Sequence, residues 1–381
     1  MHESQAAQKG DHSGNFTSRR FFPSLNRRLP SLDALRGFDM FWLLGGDALF
    51  ATLFATTGWP LFAFFDQQMQ HSDWHGLRFY DLIFPLFIFI SGVTLGLAAQ
   101  KLKSLTALQQ YRKALTRCAL LIVLGVFYNH GWGLGVPTDL TQIRYASVLS
   151  RIGIAGLGAT LLIYHCSLAQ QGRIAVMVFV LYCALQSLFP LTATASLNGL
   201  IDQHVLPGVI YHHRAFDPEG FYGDLGAVFN ALAGAWIGLQ LANYKQLKHR
   251  LFFMLKWALL TGAAAALLNL VYPMNKSLWT GSFVLASVSC SIVFLCLFHA
   301  LFDAGRWSWL QQFFAVIGVN AILAYLATSL FDWPFIIKST VAPWIALLPD
   351  AWHTSVTVLA VIAVQWLVLF WLHRQRAYLK V

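Results

Sequence analysis

The sequence predicts an all-α fold, a polytopic integral membrane bundle of about ten transmembrane helices. Two features of composition and one of pattern carry that expectation. Of 381 residues, 57% are apolar and only 11% are charged, against about 25% charged in soluble globular chains. Stretches of about 20 mainly apolar residues, long enough to cross roughly 30 Å of hydrocarbon, recur along the chain. A soluble core cannot absorb that much apolar surface, so a soluble enzyme, a disordered chain and a secreted disulfide scaffold are excluded. The net charge of +10 reads as a membrane topology signal rather than a nucleic-acid footprint. The five cysteines (Cys118, Cys166, Cys183, Cys290, Cys296) show no CxxC spacing and read as small apolar filler in reduced form.

Residues 1–30 are polar and basic and lack the apolar core of a signal peptide, which predicts a cytoplasmic tail ahead of a transmembrane domain at 31–381. Spans are expected near 37–57, 80–99, 113–129, 147–165, 174–190, 225–242, 255–272, 282–302, 313–331 and 354–372. An even number places both termini on one side. With that side cytoplasmic, the tail, the 101–117 and 243–256 connections and the C-terminus gather most of the 26 Lys and Arg residues, as short inner loops do. Arg78, Arg144, Arg151, Arg214, Lys276 and Lys338 fall on the outer side or in its half of the bilayer. Ionisable groups there mark candidate functional sites. No internal repeat, Walker loop, dinucleotide fingerprint or GxSxG elbow is present, and no pairing of broken helices between the halves is evident.

Two segments carry the chemistry. Ser31 to Asp39 (SLDALRGFD) starts a helix, and Asp47, after Gly45 and Gly46, falls near the bilayer midplane, where a carboxylate must be paired or protonated. Gln70 to Pro85 (QHSDWHGLRFYDLIFP) runs from an outer connection into the second span and holds two histidines, two carboxylates and an arginine. A histidine with a carboxylate in reach suits general-base or nucleophilic work, since its proton affinity lies near neutrality. Metal ligation by His71, Asp73 and His75 has only irregular loop spacing behind it, and no metal is expected. Arg151, inside the fourth span, is expected to pair with Asp47 or Asp81. The tryptophans near the outer boundary, Trp279 among them, read mainly as an interfacial belt that could stack one or two sugars. Asp217-Pro218-Glu219-Gly220 reads equally as a turn or a carbohydrate contact.

These segments, taken with Val148-Leu149-Ser150-Arg151-Ile152-Gly153, Phe216 to Gly220, Asn275-Lys276-Ser277-Leu278-Trp279-Thr280 and Gly318 to Tyr325, resemble the heparan-alpha-glucosaminide N-acetyltransferase family and its bacterial relatives. The blocks follow family order from about residue 31 to 331. The resemblance implies acetyl transfer from cytosolic acetyl-CoA to an amino sugar or glycan at the far face of a bacterial inner membrane. The family's catalytic histidine falls on His71, in a His-x-x-Trp-x-Gly pattern with Trp74 and Gly76 in place. Its second catalytic position, an asparagine in the lysosomal enzyme, falls on Asp47, and the large lumenal domain of the animal enzyme is absent.

On that reading His71 deprotonates the acceptor amine or transiently takes the acetyl group, and Asn275 or Lys276 stabilises the oxyanion. Asp81, Arg151, Asp217, Glu219 and Trp279 complete the expected substrate site. Lys101, Lys103, Arg112, Lys113 and Arg117 supply cations for the CoA phosphates. The expected partners are the glycan acceptor and the lipid bilayer, with no nucleic acid and with a homodimer left open. The rival reading is a secondary transporter of a sugar or acidic solute built on Asp39, Asp47, Asp81 and Arg151.

Overall fold

A computed structural model describes residues 29–131, 135–244, 246–305 and 307–379, apart from the side chains at 100 and 101. The expected tail at 1–30 therefore lies almost wholly outside the described residues, as does the Lys101 side chain. The described residues form sixteen α-helices and no strand. All five cysteines are free thiols.

α1 (Pro30–Phe41) opens on a proline, whose missing N–H costs nothing at a helix start. It gives way at a wide turn, Trp42–Gly46, where Gly45 takes φ 110°, a conformation that a side chain would strain. α2 (Asp47–Thr57) resumes the direction and stops at Gly58, φ 69°. The expected first span is thus a broken helix, and the carbonyl of Leu44 freed by the break accepts from Gln365 Nε2 at 2.9 Å.

α3 (Pro60–Gln68) leads through an irregular loop and one 3₁₀ turn (Phe79–Leu82) into α4 (Ile83–Leu97). After the short α5 (Ala99–Lys103), three helices start on reciprocal caps: α6 (Ala107–Asn129) on Thr106 and Gln109, α7 (Val148–His165) on Ser147 and Ser150, α8 (Leu168–Ser187) on Ser167 and Gln170. α9 (Leu197–Val205) precedes the long loop into α10 (Phe221–Leu241), which is followed by α11 (Leu247–Asn269) and α12 (Gly281–Phe302). α13 (Ser308–Gly318) and α14 (Ala321–Leu330) form a second broken span, bent by 60°. α15 (Trp333–Ile345), which the sequence reading did not anticipate, precedes the closing α16 (Asp350–Arg374).

Among the described residues seven helices are long and apolar enough to cross a membrane, eight with the bent pair, so the chain is a multi-pass helical membrane protein. α6 and α10 occupy two of the ten expected places without reaching that apolarity. α6 carries Arg112, Lys113 and Arg117 in its first half. α10 lies in the middle of the bundle and buries a stripe of small residues (Ala227, Ala231, Ala235, Gly238). A Cβ on Gly92 of α4 would lie 2.0 Å from the Ala231 carbonyl oxygen, and one on Gly234 would lie 2.1 Å from that of Phe89. Close backbone approach, rather than bulky apolar groups, holds this central pair together.

The two broken spans also cross closely. A Cβ on Gly37 would lie 1.7 Å from the Phe314 oxygen, and one on Gly318 would lie 1.9 Å from the Asp33 oxygen. Broken helices on both sides of the chain midpoint are therefore present, although no sequence pairing announced them.

Candidate active site

The loop at 69–78 hangs on three ties. Gly76, at φ 124°, turns the chain so that its N–H donates to the Met274 carbonyl at 2.9 Å. Asn275 Nδ2 donates to the Trp74 carbonyl at 2.8 Å, and Trp74 Nε1 donates to the Leu191 carbonyl at 2.9 Å. Arg78 folds back to donate to the His71 carbonyl at 2.7 Å. The loops at 69–78 and 270–280 are thereby stitched side by side.

Asp81, fully buried, lies under His71. One carboxylate oxygen is 2.9 Å from His71 Nδ1, and the other accepts the N–H groups of Ser72 and Arg78 at 3.2 and 3.0 Å. An ionised carboxylate only accepts, so Nδ1 carries the hydrogen, and in the neutral ring the free lone pair is that of Nε2. Lys276 Nζ is 3.1 Å from Nδ1, 3.4 Å from Nε2 and 3.7 Å from Asp81 Oδ1. Burial pulls the Lys276 ammonium down to about 8, partly opposed by Asp81. The His71 side chain is 55% exposed, so a buried acid orients an open imidazole beside an amine that burial makes easier to deprotonate.

Asp47, the expected second catalytic residue, approaches the imidazole through Tyr80. Its Oδ2 accepts from Tyr80 OH at 3.2 Å, and the Tyr80 ring stands 5.0 Å from the His71 ring. Asp47 thus touches the centre through Tyr80, a residue absent from the expected site although it directly precedes Asp81.

Arg151 pairs with neither Asp47 nor Asp81, correcting the expected partners. Its Nε meets Asp224 at 2.8 Å, NH2 donates to the Gly220 carbonyl at 3.0 Å, and the guanidinium lies 4.6 Å from the Trp279 ring centroid. α7 and α10 pack together, which brings Asp224 within reach; Asp81 is already taken by the loop. Trp279 is buried, with its Nε1 on Asn230 at 3.1 Å, so it belongs to the core rather than to an interfacial belt. Trp59, Trp344 and Trp352 are exposed.

Asn275 spends its Oδ1 on Leu278 N–H and its Nδ2 on Trp74, leaving Lys276 as the one of the expected oxyanion donors that faces the centre. Asp217 is buried and saturated by Arg144 at 2.6 and 2.9 Å and by the N–H groups of Tyr211 and Glu219. Arg144 holds it below the usual carboxylate range. Gly220 N–H closes the turn onto the Asp217 carbonyl at 2.8 Å, so the 217–220 block is a clasped turn. Glu219, also on Arg144 at 2.6 Å, is the member that reaches the cavity.

That cavity, of about 190 Å³, runs inward from His71, Lys276 and Glu219 between apolar walls that include Phe84, Phe87 and Ile152, and reaches Asp39. Further in, Arg117 NH2 donates to Ser91 Oγ at 3.2 Å and Arg36 NH2 donates to Thr94 Oγ1 at 3.0 Å. Ser91 and Thr94 lie one turn apart on α4, so the two guanidinium groups are neighbours. Lys103, Arg112 and Lys113 are exposed at the same end. Among the described residues no group of three or more His, Cys, Asp or Glu side chains could hold a metal ion.

No family model matches the chain. Among curated proteins it is similar to the heparan-alpha-glucosaminide N-acetyltransferase of Homo sapiens, 25% identical over 372 residues that cover 81% of this chain and 54% of that protein. The Mus musculus protein of the same name is 27% identical over 363 residues, covering 78% and 54%. The chain thus spans about half the length of the curated relatives it matches.

Proposed function

We propose that this chain is a transmembrane acetyltransferase that takes an acetyl group from acetyl-CoA on the cytoplasmic side and delivers it to the amino group of a sugar or glycan at the His71 end. The observation that carries the reading is the open His71 imidazole, fixed through Nδ1 by buried Asp81, at the mouth of a cavity that penetrates the bundle. The similarity to N-acetyltransferases over about four fifths of the chain supports it.

In direct transfer Nε2 takes the amine proton as nitrogen attacks the thioester carbonyl, the C–S bond breaks, and the departing thiolate recovers that proton. In the two-step route Nε2 attacks the acetyl carbon and the C–S bond breaks, releasing the thiolate; the amine nitrogen then attacks the acetyl-imidazole, the bond to Nε2 breaks, and the proton lost by the amine ends on the thiolate. Either way the developing oxyanion lies beside the Lys276 ammonium, and Tyr80, held by Asp47, packs against the imidazole. Arg36 and Arg117, with Lys103, Arg112 and Lys113 outside them, suit the donor's phosphates. A cavity of about 190 Å³ is smaller than the roughly 300 Å³ at which drug-sized pockets begin. It suits a slender acyl carrier and leaves the acceptor sugar to the exposed mouth, where Glu219 can take a hydroxyl.

Incubation of the purified protein with acetyl-labelled acetyl-CoA and glucosamine tests the reading. Wild type should label glucosamine, and His71→Ala should abolish transfer, by at least about 100-fold for a lost general base, while still folding in detergent. Transfer that survives in His71→Ala would overturn the assignment. The broken helices favour one second reading, solute transport, because discontinuous helices build transporter sites. A transporter would gain no thermal stability from CoA.

A further inference from the structure

Asp39 is fully buried, and neither carboxylate oxygen has a hydrogen-bond partner. It nevertheless borders the cavity that opens at His71. An unsatisfied carboxyl in an apolar wall costs several kcal/mol, a cost that folding alone does not explain. Its position on the bundle axis is informative. α1 and α2 rise from Arg36 through Asp39 and across the break at Gly45 to Asp47, so Asp39 lies inward of Asp47. α4 gives the same ordering in reverse, from Asp81 beside His71 to Ser91 and Thr94 beside Arg117 and Arg36. Asp39 is therefore a carboxyl between the His71 centre and a pair of guanidinium groups, in a lining whose other side chains away from the mouth are apolar or tyrosine.

Building on the acetyltransferase reading, we propose that Asp39 binds the amide-bearing arm of the acyl donor as it threads the cavity. A carboxylate accepts an amide N–H, and a neutral carboxyl both accepts from the N–H and donates to the C=O, so an amide matches either state. A cationic ligand fits poorly, since Lys276 stands at one end of the passage and Arg36 with Arg117 at the other. The walls between offer such an arm mainly apolar surface, which leaves Asp39 to fix how far it is inserted.

The test compares S-acetylpantetheine, which carries two amides, with S-acetyl-2-mercaptoethanol, which carries none, using wild type, Asp39→Leu and Asp39→Asn. Asp39→Leu should raise the KM for S-acetylpantetheine relative to that for the short thioester by roughly tenfold, the worth of a hydrogen bond to a charged or strongly polar group. It should also weaken thermal stabilisation by pantetheine, and Asp39→Asn, which keeps an acceptor and a donor, should restore most of both. Equal change for the two donors, or none, would overturn the role of Asp39. Should Asp39→Leu not fold, Asp39→Ser, which withdraws the polar group from the cavity, reads the same ratio. Wild type that transfers acetyl from neither donor would instead sink the acetyltransferase reading beneath it, a failure visible before any variant is made.

Discussion

At the residue scale the centre depends on which hydrogen faces which lone pair. Asp81 accepts from His71 Nδ1 and two backbone N–H groups, so Asp81→Asn would place an amide where three donors converge and turn the ring's tautomer. The ammonium of Lys276 is the other switch. Its proton leaves near pH 8 rather than near 10.5, so an oxyanion contact that needs the charge fades as pH rises through about 8. Transfer rate measured from pH 6.5 to 9.5 should fall across that point, and Lys276→Arg should remove the fall because a guanidinium stays charged throughout. A rate that keeps rising past pH 9 would show that the charged amine is not used. The same shift fixes a stability slope. The folded protein has given up a proton that the unfolded chain still binds between about 8 and 10.5, so Lys276 makes stability grow with pH in that window. His71 and Asp81 stood out in the sequence because they flank one short loop, but Asp81 was expected at the substrate or on Arg151, and only the fold of that loop puts it under the imidazole. Tyr80 between Asp47 and His71 was not, since a hydroxyl in an apolar-aromatic run carries no signal until the fold shows what it touches.

At the element scale the scaffold is built from near contacts between backbones. Gly37 and Gly318 let α1 and α13 cross where any Cβ would meet a carbonyl oxygen. Gly37→Ala should therefore cost about 1–3 kcal/mol, the usual penalty of overpacking, read as a lower midpoint of thermal unfolding in detergent. Gly172→Ala is the contrast. That glycine is exposed within α8 with no atom within 4 Å of an added Cβ, so the change should stabilise by a few tenths to about 1 kcal/mol through helix propensity. Similar effects at both sites would refute the close crossing. Most span positions could be read from runs of apolar residues, but the breaks could not. Gly45 stands in a glycine pair within an apolar run that gives no sign of a break, and only the φ of 110° and the capture of the Leu44 carbonyl by Gln365 identify it as one. The α13–α14 bend turns at Asn320, whose side chain holds the Ala377 carbonyl and the Leu379 N–H, partners near the C-terminus that local sequence cannot announce. α10, expected as a span at 225–242, falls below the apolarity of the seven spans because a helix surrounded by helices is better served by alanine and glycine than by leucine.

At the scale of the whole molecule, charge is sorted by end. Among the described residues most basic side chains belong to the end where α5 meets α6 and α10 meets α11, and several cations at the His71 end stand beside acids: Arg144 on Asp217 and Glu219, Lys276 on Asp81, Arg78 near Asp73. The exceptions to the positive-inside pattern are thus largely internal pairs, which weigh little in a rule that counts free loop cations. That pairing was invisible in the sequence, where Arg144 and Asp217 stand 73 residues apart. The asymmetry makes the direction of transfer testable. With the native cysteines changed to alanine, Asp73→Cys, exposed beside the mouth, should react in intact cells with a membrane-impermeant maleimide. Arg112→Cys, exposed on α6 at the other end, should react only after the membrane is opened. The opposite pattern would put the His71 mouth in the cytosol, so that donor and acceptor met on one side and a passage lined from Lys276 to Arg36 had no thioester to carry across.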